Sequence, residues 1–210
     1  LGSEVKNFKG AILLKAVGNQ NKLKLQNSFN LNTFLDKSAE LALLKQKQKF
    51  KKGNFRTVYG NDETVFEAPG YNIPTITLTR YPFKEYHTDL DTPKILKEKK
   101  LQETFDVCKS IVEIIENNEK LVNNHKGLVC LSNKKYDLYK SAYSPGVDRA
   151  KYTDEKRRWN LLMNCLPMEI ENGSDILDLS HKYKIDFFDL SNYLDKWVQK
   201  KLIKYSKDTY

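Results

Sequence analysis

The sequence has few cysteines and no long apolar run. Three of its 210 residues are cysteine, and they are widely spaced: Cys108, Cys130 and Cys165. This pattern argues against a disulfide scaffold or a zinc knot, and it indicates free thiols in a reducing, cytoplasmic compartment. No apolar run reaches the length that spans a bilayer, and no signal peptide is visible. We therefore expect no membrane association.

Histidine is also scarce, and the chain contains only His87, His125 and His181. His87 follows the strand-like run Ile73–Thr79, and three carboxylates are its sequence neighbours: Glu85, Asp89 and Asp91. A metal-bound imidazole usually donates its second N–H to a carboxylate or carbonyl. His87 is therefore a candidate metal ligand. The alternative is a histidine that is hydrogen-bonded to one of these aspartates without any metal.

Positive charge is concentrated in the first part of the chain. The net charge is +9, with 36 basic and 27 acidic residues. Residues from Lys151 onward hold 11 basic and 10 acidic residues, so residues 1–150 hold 25 and 17 and account for +8. The densest basic run lies between Lys45 and Arg56. A run of this kind is typical of a solvated helix end and loop, and the alternative is a surface for an acidic partner.

Strands alternate with helices over the first 120 residues. The pattern predicts strands over 11–17, 55–59 and 73–79, and helices over 32–49 and from Pro93 to about residue 116. This order predicts an α/β fold, a three-layer α/β/α arrangement with a largely parallel sheet. Ligands collect at the carboxyl ends of such strands. Both the loop after Val17 and the loop that carries His87 are at strand ends.

The rest of the chain changes in character. We interpret 121–150 as a connector and 151–210 as a small winged helix-turn-helix domain, with helices over 154–166, 175–183 and 186–200 and a strand over 202–205. The candidate recognition helix mixes aspartates with lysines, so DNA binding, which draws on phosphate neutralisation, is disfavoured. Its aromatic residues are expected in the core or at a docking surface, including one that forms a homo-oligomer: Phe187, Phe188, Tyr193 and Trp197.

Several short motifs resemble an aminopeptidase-like zinc peptidase family whose members carry a C-terminal winged helix. They are Gly60-Asn61-Asp62-Glu63, Ala68-Pro69-Gly70, Ile73-Pro74, Arg80, and Glu85-Tyr86-His87-Thr88-Asp89-Leu90-Asp91. The last segment is the most specific. The resemblance covers nearly the whole chain and corresponds to the C-terminal half of the family's catalytic domain together with the winged helix.

The resemblance implies a two-zinc site in which His87 is the last histidine ligand. Asn19 falls where the family tends to have an aspartate ligand, and a neutral amide binds zinc less well than a carboxylate. The other ligands and the glutamate that acts as general base belong to the family's N-terminal half. Leu1-Gly2-Ser3 resembles the tail of the motif that carries this base. We therefore expect the 210-residue chain alone to be inactive.

Further residues are candidates for supporting roles. Tyr86 could donate a hydrogen bond to a tetrahedral oxyanion, or it could simply be packed. Asp89 or Asp91 could orient His87 or stabilise a helix N-terminus. Asp62 and Glu63 could bind a substrate amine, brace the pocket or form a solvated turn. Arg80 could pair with a buried carboxylate or with a substrate carboxylate, and Glu85 completes the set of residues near the predicted site.

Three functions follow as hypotheses. The first is an aminopeptidase-like metallohydrolase that cleaves an N-terminal peptide or similar amide bond, with two zinc ions and a peptide or aminoacyl substrate. The second is a non-catalytic relative that acts as a binding or assembly module, for which Asn19 is the main argument. The third is a nucleic-acid-binding regulator built on the winged helix.

Overall fold

The computed structural model describes residues 2–46, 50–140 and 154–206. The chain divides into two compact units, Leu1–Glu116 and Asn117–Tyr210. The sequence had placed the corresponding boundary at residue 120. The predicted connector residues 141–150, and residues 47–49 of the first predicted helix, lie outside the described residues.

The first unit is a mixed α/β structure. Its elements are β1 (Ala11–Lys15), β2 (Lys24–Gln26), α1 (Phe34–Lys45), β3 (Lys51–Gly53), α2 (Glu63–Phe66), β4 (Thr75–Thr79) and α3 (Glu98–Glu116). Short 3₁₀ helices cover Gly2–Asn7 and Pro93–Ile95. The four strands form one sheet in the order β1-β4-β2-β3. The β1/β4 and β2/β3 pairs are parallel, and the central β4/β2 pair is antiparallel. The α/β class is therefore confirmed, with a mixed sheet.

The two faces of this sheet differ in chemistry. Alternation along each strand places Leu25, Ile76 and Leu78 on one face, where all three are fully buried. Lys52 is on the same face and pairs with Glu40 of α1, so α1 covers this side. The opposite face carries Thr75, Thr77, Thr79 and Gln26. A threonine-rich strand is stable here because β-branched side chains suit the pleated sheet.

A capping box fixes the start of α1. The Thr33 hydroxyl accepts the Asp36 N–H over 3.3 Å, and the Asp36 carboxylate accepts the Thr33 N–H over 3.0 Å. This arrangement satisfies two backbone donors that a helix N-terminus leaves free. The helix begins two residues later than the predicted residue 32 because the cap stands at Thr33.

The predicted strand over 55–59 is wrong. Thr57 turns back on Asn54, whose carbonyl accepts both its N–H over 3.1 Å and its hydroxyl over 2.8 Å. The N–H groups of Val58 and Tyr59 then donate to the side-chain oxygen of Gln26, over 3.1 and 3.0 Å. The backbone N–H groups of this segment thus bond to a glutamine side chain and not to a neighbouring strand, as the apolar pattern had predicted they would.

The second unit combines helices with a two-stranded sheet. It contains β5 (Lys120–Asn123), α4 (Asp154–Glu171), α5 (Ile176–Tyr183), α6 (Phe187–Gln199) and β6 (Ile203–Ser206). β5 and β6 pair antiparallel, so residues 120–123, which the sequence had assigned to the end of the first domain and the start of the connector, form part of the folded unit. Asp175 and Asp186 cap α5 and α6 by accepting backbone N–H groups.

Aromatic residues form much of the core of the second unit. Phe187, Tyr193 and Trp197 are at most 2% exposed, as expected for core positions of an amphipathic helix. The three cysteines of the chain are all free thiols. None of the helices in the described residues is both long and apolar enough to cross a membrane.

Candidate functional site

A cleft lies at the carboxyl ends of the neighbouring parallel strands β1 and β4. It is bordered by the loop that follows β1, by the segment that follows β4, and by the beginning of α3. The register that pairs Lys15 with Thr79 brings the two strand ends side by side. The sequence argument had placed a ligand site at these two strand ends, and the structure brings them together.

The cleft has two adjoining compartments that share Asn19, Phe83 and Ile95. The first has a volume of about 350 Å³ and is mainly apolar, lined by Lys15, Ala16, Val17, Gly18, Asn19, Phe83, Tyr86, Asp91, Ile95, Leu96 and Leu101. The second has a volume of about 690 Å³ and a larger share of polar residue types in its lining: Asn19, Gln20, Asn21, Pro82, Phe83, Lys84, Glu85, Ile95 and Lys97. Apolar atoms predominate on the surface of both compartments. An elongated ligand with an apolar end and a polar end would match this division.

Arg80 fastens the two strand ends to α3. Its side chain is fully buried, and it donates to the carbonyl oxygens of Val17 over 2.7 Å and Asn21 over 2.6 Å. It also reaches the Lys100 carbonyl over 3.1 Å and the Glu103 carboxylate over 3.0 Å. Burial acts to raise the pKa of Glu103, but Lys100 and then Arg80 outweigh it and hold this pKa below its usual range. The arginine thus pairs with a carboxylate of its own chain.

Asn19 closes the loop after β1. Its amide nitrogen donates to the Ala16 carbonyl over 3.0 Å, and its amide oxygen accepts the Asn21 N–H over 2.9 Å. The residue is 5% exposed. The Asn21 amide in turn donates to the carbonyls of Arg80 and Pro82. These bonds use the donor and the acceptor of the Asn19 side chain, which a carboxylate could not do.

Gly18, next to Asn19, lies close to two leucine side chains. A Cβ at Gly18 would lie 2.8 Å from Leu96 Cδ2 and 3.0 Å from Leu101 Cδ2. The Gly18 carbonyl also accepts the Lys97 N–H over 2.8 Å. The loop after β1 therefore approaches the start of α3 closely enough to form one wall of the apolar compartment.

Tyr86 lines the apolar compartment within an aromatic cluster. Its hydroxyl lies 2.7 Å from the Tyr59 hydroxyl, and this hydrogen bond raises the pKa of Tyr86. Tyr81 and Phe83 pack edge-on against the Tyr86 ring, with centroids 5.4 Å away in both cases. The Tyr86 hydroxyl is thus held in place by Tyr59.

His87 stacks on Tyr86 outside the two compartments. The ring centroids are 4.0 Å apart and the planes differ by 25°. His87 is exposed, and its φ of 60° lies in the left-handed region, where histidine is among the less disfavoured residues. The predicted ligand therefore adjoins the cleft through Tyr86 and does not line it.

The predicted carboxylates occupy different positions. Glu85 lines the polar compartment and Asp91 the apolar one, whereas Asp89 is exposed and lines neither. Glu63 is fully buried and accepts the Asn61 N–H with both oxygens, over 3.0 and 2.8 Å, so it braces its own turn. Asp62 is exposed at the start of α2.

The described residues do not assemble a zinc site by themselves. A protein zinc site needs at least three nitrogen, sulfur or carboxylate ligands around one point. Across residues 2–46, 50–140 and 154–206, no three His, Cys, Asp or Glu side chains come together in this way. The Asn19 amide is engaged with Ala16 and Asn21, and His87 is stacked on Tyr86. The described residues thus do not fit the expected pair of zinc ions.

The structure adds cleft residues that the sequence argument missed. These are Lys15, Asn21, Phe83, Ile95, Leu96 and Leu101. Leu96 and Leu101 carried no sequence signal, because their exposure of 50% and 43% is visible only in the folded chain. Asn21 carried none either, since its contacts with the segment after β4 bridge about 60 residues of sequence.

The fold and cleft define a mixed α/β protein with a ligand site at the ends of parallel strands. A family model described as a domain of unknown function, DUF4910, matches residues 2–118, which is more than half of the chain. The protein therefore belongs to the DUF4910 family. The matched residues correspond to the first compact unit, which contains the cleft.

Two further comparisons point to peptidases. A Clostridium acetobutylicum protein, named as a candidate polysaccharide biosynthesis protein with an aminopeptidase-like domain, is 26% identical over 122 residues, which are 57% of this chain and 28% of that protein. The crystal structure of a candidate peptidase from the same organism matches 97% of this chain and 43% of its own, with a TM-score of 0.76 and 20% identity. The chain thus shares the fold of that crystal structure and spans less than half of either relative.

Proposed function

We propose that this chain is part of an aminopeptidase-like protein and that its cleft binds a peptide or aminoacyl ligand. The observation that carries the proposal is the two-compartment cleft at the ends of β1 and β4, on a fold shared with a candidate peptidase. An apolar side chain fits the compartment between Phe83 and Leu101. The backbone amides of the ligand fit the compartment that contains Gln20 and Lys84.

Charged residues at the cleft match the ends of such a ligand. Glu85 and Asp91 line different compartments and can pair with an ammonium group. The Tyr59 and Tyr86 hydroxyls use one O–H for the hydrogen bond between them, so the other O–H of the pair can donate to a ligand carbonyl. These roles concern binding and orientation.

We propose two-zinc hydrolysis only for a longer protein that contains this chain and in which other residues supply the remaining zinc ligands. When bound, zinc would polarise the carbonyl and activate water. Because the described residues do not form a zinc site, we expect the 210-residue chain to bind ligand without hydrolysing it. Zinc-dependent turnover of an aminoacyl substrate by this chain would contradict that expectation.

A binding titration tests the proposed cleft. We expect leucinamide to bind to the chain more tightly than glycinamide, with chemical-shift changes at cleft residues, because only leucine fills the apolar compartment. Phe83→Ala should weaken leucinamide binding about tenfold, through loss of apolar burial. Phe105→Ala is the matched control, since Phe105 is 61% exposed and does not line the cleft. Equal binding of both amides would refute the proposed apolar compartment.

A non-catalytic binding module is the second candidate. The observation in its favour is the Asn19 amide, which is committed to loop hydrogen bonds at the position where the family resemblance implies a zinc ligand. Zinc titration of a longer protein that contains this chain separates the two candidates. Tight, stoichiometric binding of zinc would support the hydrolase, and the absence of zinc binding would support the non-catalytic binding module.

The assignment of the second unit to a winged helix-turn-helix is also a proposal. It is supported by the order of α5, α6 and β6 and by the pairing of β6 with β5. Phe187, Tyr193 and Trp197 of α6 are buried within the unit, so they are unavailable to a nucleic acid, and Phe188 is half-buried. We propose that this unit serves assembly, including homo-oligomer formation, in preference to DNA binding.

A further inference from the structure

Three lysines lie in one row across the sheet of the first unit. The strand register pairs Lys15 with Thr79, Thr79 with Lys24, and Lys24 with Lys51. Side chains at paired positions point to the same face of a sheet. Adjacent strands are about 4.8 Å apart, so Lys24 is one strand from Lys51 and two strands from Lys15. We call Lys15, Lys24 and Lys51 the lysine row.

Independent contacts confirm the face on which the row begins. The Lys15 ammonium lies 5.7 Å from the centre of the Tyr59 ring. The Tyr59 N–H donates to the side chain of Gln26, which is one row away on the same face as Lys24. Lys15 also lines the apolar compartment of the cleft. The lysine row therefore extends from the cleft across the sheet.

The lysine row has no internal counter-charge. Within the described parts of the chain, no carboxylate lies within ion-pair distance of any of its three ammonium groups. Lys52 provides the contrast, because it follows Lys51 on β3, points to the opposite face and pairs with Glu40 over 2.8 Å. Like charges held side by side repel each other unless an anion neutralises them.

Unpaired polar atoms lie next to the row. Gln26 is 1% exposed, and its amide nitrogen has no hydrogen-bond partner. Its cross-strand neighbour Thr77 is fully buried, and the Thr77 hydroxyl also has none. Buried donors are normally satisfied, so exceptions are informative. Both atoms are buried, so they lie beneath the surface on which the lysine row stands and do not contact a ligand there.

We propose that the lysine row is a binding site for an oligo-anion, a ligand with two or more phosphate or carboxylate groups. Lys24 and Lys51 would hold one anionic group, and Lys15 would hold a second beside the cleft. This site does not depend on the peptide-binding function proposed for the cleft.

Titration with two anions tests the site. We expect pyrophosphate or a triglutamate peptide to bind to the 210-residue chain with saturation at low ionic strength and to weaken as salt is added. Pyrophosphate as the tighter ligand would identify a phosphate site, and triglutamate would identify a carboxylate site. Binding of neither anion at low ionic strength would overturn the proposal.

Substitutions locate the binding. Lys24→Gln and Lys51→Gln should each weaken the anion about tenfold, whereas Lys24→Arg should retain it. Lys52→Gln is the matched control and should leave affinity unchanged, since it removes the same charge from the opposite face. Thermal unfolding of each variant verifies that it is folded. An equal loss of affinity in Lys52→Gln would show that only net charge matters and would refute the site.

Discussion

The Nε of Arg80 donates to the carbonyl oxygen of Val17 over 2.7 Å, and this bond joins the ends of two parallel strands that are distant in sequence. Val17 follows β1 and Arg80 follows β4. The remaining guanidinium nitrogens reach the Asn21 carbonyl and the start of α3. One buried side chain therefore sets the positions of all three segments that border the cleft.

Arg80→Ala is expected to destabilise the first unit by about 3–5 kcal/mol, because it removes a fully buried side chain together with its hydrogen bonds to three backbone carbonyls and to Glu103. Urea denaturation monitored by circular dichroism measures the loss. Lys109→Ala is the control, since the Lys109 side chain is 63% exposed and its nitrogen lies 3.7 Å from the Glu113 carboxylate, which is also exposed. We expect that control to cost less than about 1 kcal/mol. Similar losses in the two variants would contradict the role of Arg80.

The acid sensitivity of the first unit should depend on Glu103. Its pKa is lowered from the ordinary value of 4.5 because Lys100 and Arg80 outweigh the effect of burial. A carboxyl with a lower pKa in the folded state contributes stability that is complete above pH 4.5 and is lost as pH falls through the folded pKa. Glu103→Gln should therefore flatten the decline of unfolding free energy in this acid range.

Denaturation curves between pH 2 and pH 6 measure this dependence, since that range brackets ordinary carboxyl values. Glu113→Gln is the matched control on the same helix, because its 43% exposed carboxylate forms a 3.7 Å surface pair with Lys109. Its curve should parallel the wild type. If Glu103→Gln also paralleled the wild type, the pKa of Glu103 would not be lowered by folding.

Local signals predicted the elements well, and long-range contacts determined the site. Asp175 and Asp186 precede amphipathic patterns, so the starts of α5 and α6 were visible in the sequence. The strand over 55–59 was not real, because the side chain of Gln26 captures its backbone N–H groups from a distant strand. No local pattern encodes such a contact.

The candidate site was likewise predictable only in part, because some of its features depend on long-range contacts. The two loops at the strand ends were predicted, since strand order alone places them together. The lysine row was not predicted, because it exists only when the antiparallel β4/β2 pair aligns Lys24 with Thr79. His87 was predicted to face the site, yet it stacks on Tyr86 outside the compartments, and a one-dimensional motif carries no information on that orientation.

The Tyr59–Tyr86 pair gives a spectroscopic prediction. The hydrogen bond between the Tyr59 and Tyr86 hydroxyls is the main cause that raises the pKa of the Tyr86 phenol. Tyr59→Phe removes that partner and should lower the pKa of Tyr86 toward its ordinary value of 10.0. Titration of ¹³Cζ-labelled tyrosine by NMR follows this group. Tyr71→Phe is the control, because Tyr71 is 43% exposed and is not in the aromatic cluster. An unchanged Tyr86 titration in Tyr59→Phe would contradict the assignment.

Asn19→Asp tests whether the position that resembles a zinc ligand is structural. The substitution replaces the amide donor with a carboxylate oxygen that faces the Ala16 carbonyl, so we expect a loss of about 1–3 kcal/mol in unfolding free energy. We also expect no gain of tight zinc, because the described residues hold no cluster of three ligands. Denaturation with urea and calorimetric zinc titration measure the two effects.

Gln20→Glu is the control, since it adds the same charge to an exposed neighbour in the cleft. Stoichiometric zinc in Asn19→Asp without loss of stability would show that a latent metal site exists and would refute the structural role of Asn19.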